Sequence, residues 1–169
     1  RPEGMWLPET AVDLETLGIM EEMGIRFTVL SPYQASRVRA HGSRFWKEAG
    51  GGRVDPSTAY RVNLRGGRYM NVFFYDGPIS RAVAFENLLE RGEFLANRLA
   101  GAFNDARPWP QLVHIATDGE TYGHHRSKAD MALAYALHYI ERNKLARLTN
   151  YGEFLELHPP VHDAQIFDR

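Results

Sequence analysis

The sequence predicts an α/β fold, part of a parallel barrel or open sheet, and three observations carry that expectation. Short apolar runs alternate with stretches whose apolar residues recur every three or four positions. Several of those runs end abruptly in a carboxylate. The first run, the first amphipathic stretch and the second run follow one another within about thirty residues, the spacing of a right-handed parallel crossover. In such folds sites form where the carboxyl ends of the strands open. With 169 residues, 44% of them hydrophobic and 12% aromatic, the chain suits one domain with a sizeable core.

Each element follows from local chemistry. Residues 5–7 are expected as the first strand. Thr10 then caps a helix, with Asp13 three places on as an acidic capping-box partner. Leu14, Leu17, Ile19, Met20 and Met23 supply its apolar stripe and Gly24 ends it. Residues 25–30, rich in β-branched and aromatic side chains, form the next strand, which Ser31-Pro32 breaks. A short helix is expected over 33–40, then a mobile loop over 41–56 that includes Gly50-Gly51-Gly52. No Lys-Ser or Lys-Thr follows those glycines, so they are not a phosphate cradle. Residues 61–64 and 69–75 flank a hairpin turn at Arg65-Gly66-Gly67-Arg68. The second arm is nearly all apolar, as a core strand covered on both faces would be, and it ends at Asp76. Helices are expected over 80–90, 93–103 and 130–143, a buried strand over 112–117, and a last short helix over 151–156 that His158-Pro159-Pro160 stops.

Charge narrows the function. Twenty basic residues against 21 acidic ones leave a net charge of -1, which offers no electrostatic case for nucleic acid or an anionic membrane and favours a neutral substrate. There are no cysteines, so disulfides and thiolate metal sites are excluded. No apolar run approaches the roughly 18 residues needed to span a bilayer, and with no secretory leader visible a cytoplasmic location is expected.

The chemistry concentrates in two stretches. In Thr117-Asp118-Gly119-Glu120-Thr121-Tyr122-Gly123-His124-His125, acids and imidazoles crowd together, and Gly119 and Gly123 allow a sharp turn. The partner stretch is Gly4-Met5-Trp6-Leu7-Pro8-Glu9-Thr10, where another apolar run ends in an acid. A retaining glycosidase needs one carboxylate to attack the sugar carbon and another to protonate the leaving oxygen, about 5 to 5.5 Å apart, and Glu9 and Asp118 are the candidates. The plainer alternatives are an exposed helix-capping Glu9 and an Asx-turn Asp118. Glu120 competes for the acid role, its plainer use being a first-turn helix acid. Trp6, Glu120, Tyr122, His124 and Asp76 are the expected substrate contacts, with Trp6 and Tyr122 offering aromatic faces to sugar rings. Tyr33, Trp46, Tyr75 and Trp109 are read as core or loop aromatics, and His41, His114 and His138 as core or surface histidines. Asp118, His124 and His125 also suit a divalent ion, although adjacent imidazoles seldom point the same way. That set carries a metal-dependent carbohydrate hydrolase or deacetylase as an alternative.

These residues also carry a resemblance. Gly4-Met5-Trp6-Leu7-Pro8-Glu9-Thr10-Ala11-Val12-Asp13 resembles the third conserved region of glycoside hydrolase family 57, and Thr117-Asp118-Gly119-Glu120-Thr121-Tyr122-Gly123 its fourth. Tyr75-Asp76-Gly77-Pro78-Ile79-Ser80-Arg81-Ala82 and Leu148-Thr149-Asn150-Tyr151-Gly152-Glu153-Phe154-Leu155 resemble a bacterial subgroup of α-amylase- or α-mannosidase-like sequences. The resemblance implies a partial (β/α)7-type barrel, with residues 5–7, 25–30, 69–75 and 112–117 as strands four to seven. It implies that the whole chain is the C-terminal half of a catalytic barrel, with no second domain. The family's His-Gln-Pro region on the first strand, a further region before strand four and the helical domain after the barrel have no counterpart. The implied activity is retaining hydrolysis or transglycosylation of α-glucans. Glu9 attacks the anomeric carbon, protonated Asp118 donates to the departing oxygen, and Asp118 then deprotonates the acceptor. No cofactor and no metal is required. A fragment of this kind can instead be a non-catalytic half barrel that binds carbohydrate or self-associates through open sheet edges.

Overall fold

The structure, a computed structural model, describes residues 2–167. It divides into two compact units: one takes in the chain up to Tyr75 and again from Asn150, the other runs from Asp76 to Thr149.

The first unit is built on a seven-stranded mixed sheet. β1 (Gly4–Met5), β2 (Phe27–Leu30) and β6 (Tyr69–Phe74) lie side by side and parallel. Between β1 and β2 runs α1 (Leu14–Glu22), so the expected crossover is present. The remaining strands are β3 (Ala35–Ala40), β4 (Lys47–Glu48), β5 (Ala59–Asn63) and β7 (His162–Ile166), in the order β1-β2-β6-β5-β7-β3-β4. β5 and β6 form the expected antiparallel hairpin, and Gly66 and Gly67 hold φ of 72° and 76° in its turn. Both sheet edges, β1 and β4, are two residues long, which limits what either can offer to another chain.

Alternation along β6 assigns its faces. Met70, Val72 and Phe74 join Leu17 and Met20 of α1, Leu30, Tyr60 and Val62 in one buried cluster. Phe73 points to the opposite face, where its ring meets Phe27, Tyr151 and Phe154. Tyr151 and Phe154 belong to α5 (Tyr151–Leu157), so a helix covers each face of this strand. Burial pushes the Tyr151 phenol up to about 12.

The second unit is helical. α2 (Gly77–Phe85), α3 (Gly92–Ala100) and α4 (Ala129–Arg142) pack around Ile79, Val83, Leu95, Ala96, Ala136 and Ile140. Gly92 sets the approach of α3 to α4, because a Cβ there would lie 2.6 Å from the Ala132 carbonyl oxygen and from the Tyr135 ring.

Several expectations are corrected. Residues 33–40 are not a helix: Pro32–Gln34 is a 3-10 turn and 35–40 are β3, because Arg37, Val38, Arg39 and Ala40 find partners on β7 more than 120 positions later. β7 itself carried no expectation. The 41–56 segment holds β4 and buries Ala49 and Val54, so it is more than a loop. The helix cap is Asp13 rather than Thr10, its Oδ1 accepting the Thr16 N–H at 2.7 Å. The first strand is Gly4–Met5 rather than 5–7.

The largest correction concerns 112–117, which form no strand. The His114 carbonyl accepts the Asp76 N–H, and the Ala116 N–H donates to Ser80 Oγ. Val113 and Ile115 pack against the helical cluster of the second unit. A short apolar run satisfies its pattern in any buried extended segment, so the pattern could not distinguish this use from a strand.

β3 and β7 are fastened by a polar network. Asp163, buried on β7, accepts from Arg39 Nε at 2.9 Å and lies 2.8 Å from His41 Nδ1. Burial alone would raise this carboxyl, but the hydrogen bonds and charges of His41 and Arg39 outweigh it and hold it below the usual range. Because the folded value is the lower one, this stabilisation is complete above the unfolded carboxylate value of about 3.9 and is lost as pH falls through the folded one. Asp163→Asn should therefore cost about 1 to 2 kcal/mol near neutral pH in urea unfolding, and should lose less further stability than the parent on acidification. Equal acid limbs for the two proteins would reject this role.

Candidate active site

Glu9 sits where β1 delivers the chain to the carboxyl edge of the parallel strands. Pro8–Thr10 form a 3-10 turn with an unusual backbone, because Glu9 at φ 56° and Thr10 at φ 50° are consecutive non-glycine residues in the left-handed region. For a β-branched threonine this conformation is a strained one. The surroundings hold it in place. The Thr10 N–H donates to the Leu7 carbonyl, Thr10 Oγ1 donates to the Glu9 carbonyl, the Ser31 N–H donates to the Thr10 carbonyl, and the Val12 N–H donates to Gln34 Oε1. Leu7 and Thr10 are buried while Glu9 is exposed, so the turn presents the carboxylate and anchors the residues around it. Asp13, not Glu9, caps α1, which removes the plainer helix-capping use of Glu9. Trp6, 56% exposed, stands three residues before it.

The second unit carries Asp118. Its carbonyl accepts the Thr121 N–H to open the 3-10 turn Gly119–Thr121, while its carboxylate makes no capping hydrogen bond. The Asx-turn alternative is thereby not the one adopted. The side chain is exposed. Gly123 takes the left-handed backbone foreseen for it, at φ 127°, whereas Gly119 has an ordinary φ inside the 3-10 turn.

The expected substrate contacts differ in what they already do. Asp76 caps α2, its Oδ1 accepting the Ile79 N–H at 2.8 Å while Ser80 Oγ donates to its carbonyl. The Tyr122 ring packs against the helical core and its hydroxyl lies 2.9 Å from Thr117 Oγ1, so it behaves more as a core aromatic than as an open face. Glu120 and His124 are exposed, and Glu120 Oε2 lies 3.8 Å from His124 Nδ1 and 3.4 Å from His125 Nε2. Of the other histidines, His41 belongs to the Asp163 network, His114 is buried and His138 is exposed on α4. Trp46 is covered by Arg39, whose guanidinium carbon is 4.4 Å from the ring centroid. Two features escaped sequence reasoning. The left-handed backbone at Glu9 and Thr10 has no residue-type signal, and the convergence of His124 with His125 reverses the expectation for neighbouring imidazoles.

The two conserved-region motifs thus stand on turns that expose an acid, and comparison with known proteins agrees with them. The model of glycosyl hydrolase family 57 matches residues 1–165. The chain belongs to that family. Two crystal structures share its fold. One is a 4-alpha-glucanotransferase from Thermococcus litoralis, with 20% identity, TM-score 0.69, and 99% of this chain matched to 24% of that one. The other is an exo-type maltose-forming amylase from Pyrococcus sp. ST04, with 19% identity, TM-score 0.65, and 90% matched to 24%. The family chain therefore spans about a quarter of the length of these solved proteins. No curated protein matches it in sequence. The fold class is the expected one, an α/β fold forming part of a (β/α)7-type barrel, with β1, β2 and β6 as adjacent parallel strands. No helix among the described residues is long and apolar enough to cross a membrane.

The strain at Glu9 makes a prediction. Glu9→Gly should raise stability by about 1 kcal/mol in urea unfolding, because glycine occupies the left-handed region without the Cβ penalty. A neutral or destabilising outcome would show that the turn is not strained at this position.

Proposed function

We propose that this family 57 chain contributes the acid pair of a retaining glycoside hydrolase or transglycosylase acting on α-glucans. Glu9 is the nucleophile and Asp118 the general acid and base. Glu9, ionised, attacks the anomeric carbon as protonated Asp118 gives its proton to the departing oxygen, leaving a glycosyl ester on Glu9. Asp118 then takes a proton from water or a sugar hydroxyl, which breaks that ester and restores both groups.

One observation carries the reading: Glu9 is held exposed in a left-handed turn at the carboxyl edge of parallel strands, where barrel enzymes keep their reacting groups. Family membership over residues 1–165 and the names of the two solved relatives, a glucanotransferase and a maltose-forming amylase, support the α-glucan class. The net charge of -1 suits a neutral sugar. Trp6, Glu120 and His124, all exposed, are the proposed substrate contacts, whereas Tyr122 packs in the helical core and Asp76 caps α2. In this reading the chain is the later half of one catalytic barrel and works in the cytoplasm without cofactor.

In a full-length family enzyme carrying these residues, Glu9→Ala and Asp118→Ala should each lower turnover of maltooligosaccharides by about 10³-fold or more. Azide should restore activity to the Glu9 variant as a glycosyl azide product. Undiminished turnover in either variant would remove that residue from the reaction. A second reading, a half barrel that binds sugar or self-associates without turnover, would have only the two-residue sheet edges at β1 and β4 to pair through. Gel filtration and a glucan hydrolysis assay on this chain distinguish the two.

A further inference from the structure

The segment just after Asp118 gathers three metal-ligating side chains. The N–H groups of His124 and His125 both donate to the Glu120 carbonyl, at 3.2 and 2.9 Å, and Gly123 at φ 127° makes the reversal this needs. The fold-back brings the two imidazole centroids to 5.1 Å with their planes 31° apart. It also sets one Glu120 oxygen, Oε2, 3.8 Å from His124 Nδ1 and 3.4 Å from His125 Nε2. One donor atom from each of the three lies within 4.8 Å of the others.

These spacings are near those of a coordination shell. Zinc bonds to nitrogen and oxygen of about 2.0 to 2.2 Å place tetrahedral donors about 3.4 Å apart, so closing a set that lies within 4.8 Å needs no shift greater than about 1.4 Å between exposed side chains. Both imidazoles thus lie within 4 Å of the same carboxylate oxygen. Two imidazoles with one carboxylate favour zinc-class transition ions over magnesium or calcium, whose shells are built from oxygen. Three protein donors leave a fourth position for water. Asp118 is not in the group, which differs from the set the sequence suggests.

We propose that Glu120 Oε2, His124 Nδ1 and His125 Nε2 bind one divalent transition ion of the zinc class. The site shares Glu120 and His124 with the proposed substrate contacts, but binding of the ion needs neither Glu9 nor Asp118 as a reacting group, so metal binding and glycoside turnover are read separately. A bound ion would clip residues 120–125 into the turn they already form.

The test is zinc titration of the metal-free chain by calorimetry, with cobalt absorption as a second readout. One equivalent should bind with a dissociation constant on the order of 10 µM, and cobalt should give the intense visible bands of a four-coordinate site. His124→Ala with His125→Ala should abolish both signals, and Glu120→Gln should weaken zinc at least about tenfold. His41→Ala and His138→Ala should leave zinc affinity unchanged. The three ligands are exposed, so circular dichroism of the variants should match the parent. Absence of saturable binding at millimolar zinc, or binding that survives the double histidine variant, would overturn the proposal.

Discussion

Parallel strands cannot be joined by a tight turn, and that constraint organises the first unit. β1 must reach β2 through α1, and the crossover returns the chain so that both strands run the same way. β6, parallel to β2, extends the same edge. The carboxyl ends of β1, β2 and β6 are thus brought to one side, and the residues that follow them share that side: Trp6 to Glu9 after β1, Ser31 after β2, Tyr75 after β6. The hydrogen bonds from Ser31 to Thr10 and from Tyr75 to the Leu30 carbonyl bind these neighbouring ends to one another. The exposed position of Glu9 follows from strand direction before any question of catalysis arises.

Holding Glu9 there has a local cost. Two successive left-handed residues without glycine would relax in an isolated peptide, and here four hydrogen bonds and the burial of Leu7 and Thr10 oppose that relaxation. A helical cap would have oriented the same acid without strain, and the chain assigns that task to Asp13 instead. Strain maintained by surrounding structure is characteristic of positions where side-chain direction matters more than stability.

What could be read in advance divides by distance along the chain. The β1-α1-β2 crossover, the Gly66-Gly67 hairpin and α4 were legible because each depends on a few tens of neighbouring residues. β3 and β7 were not, since Arg37 and Arg39 become strand residues through Gln165 and Asp163, and no local pattern reports such partners. Residues 112–117 show the reverse error: their apolar character was correctly seen, but their backbone bonds go to the start of α2. The candidate acids are nominated from motif and position, and the structure shows both exposed on turns. The turn geometry around them was not legible, because Gly123 and the Glu120 carbonyl redirect His124 and His125 in a way residue types alone do not encode.

The place of β7 in the sheet bears on how the first unit assembles. β7 is inserted between β5 and β3, yet it is made after the whole helical segment from Asp76 to Thr149 has been synthesised. Until then the β3-β4 ribbon has no neighbour on its β7 side, and the β5-β6 hairpin stops at β5. Closing so long a loop is slow, and the waiting strands expose backbone groups that another nascent chain could pair with. Ribosome-bound intermediates of this protein should therefore be at their most adhesive between the synthesis of β6 and that of β7, and the arrival of β7 is the event that ends that hazard.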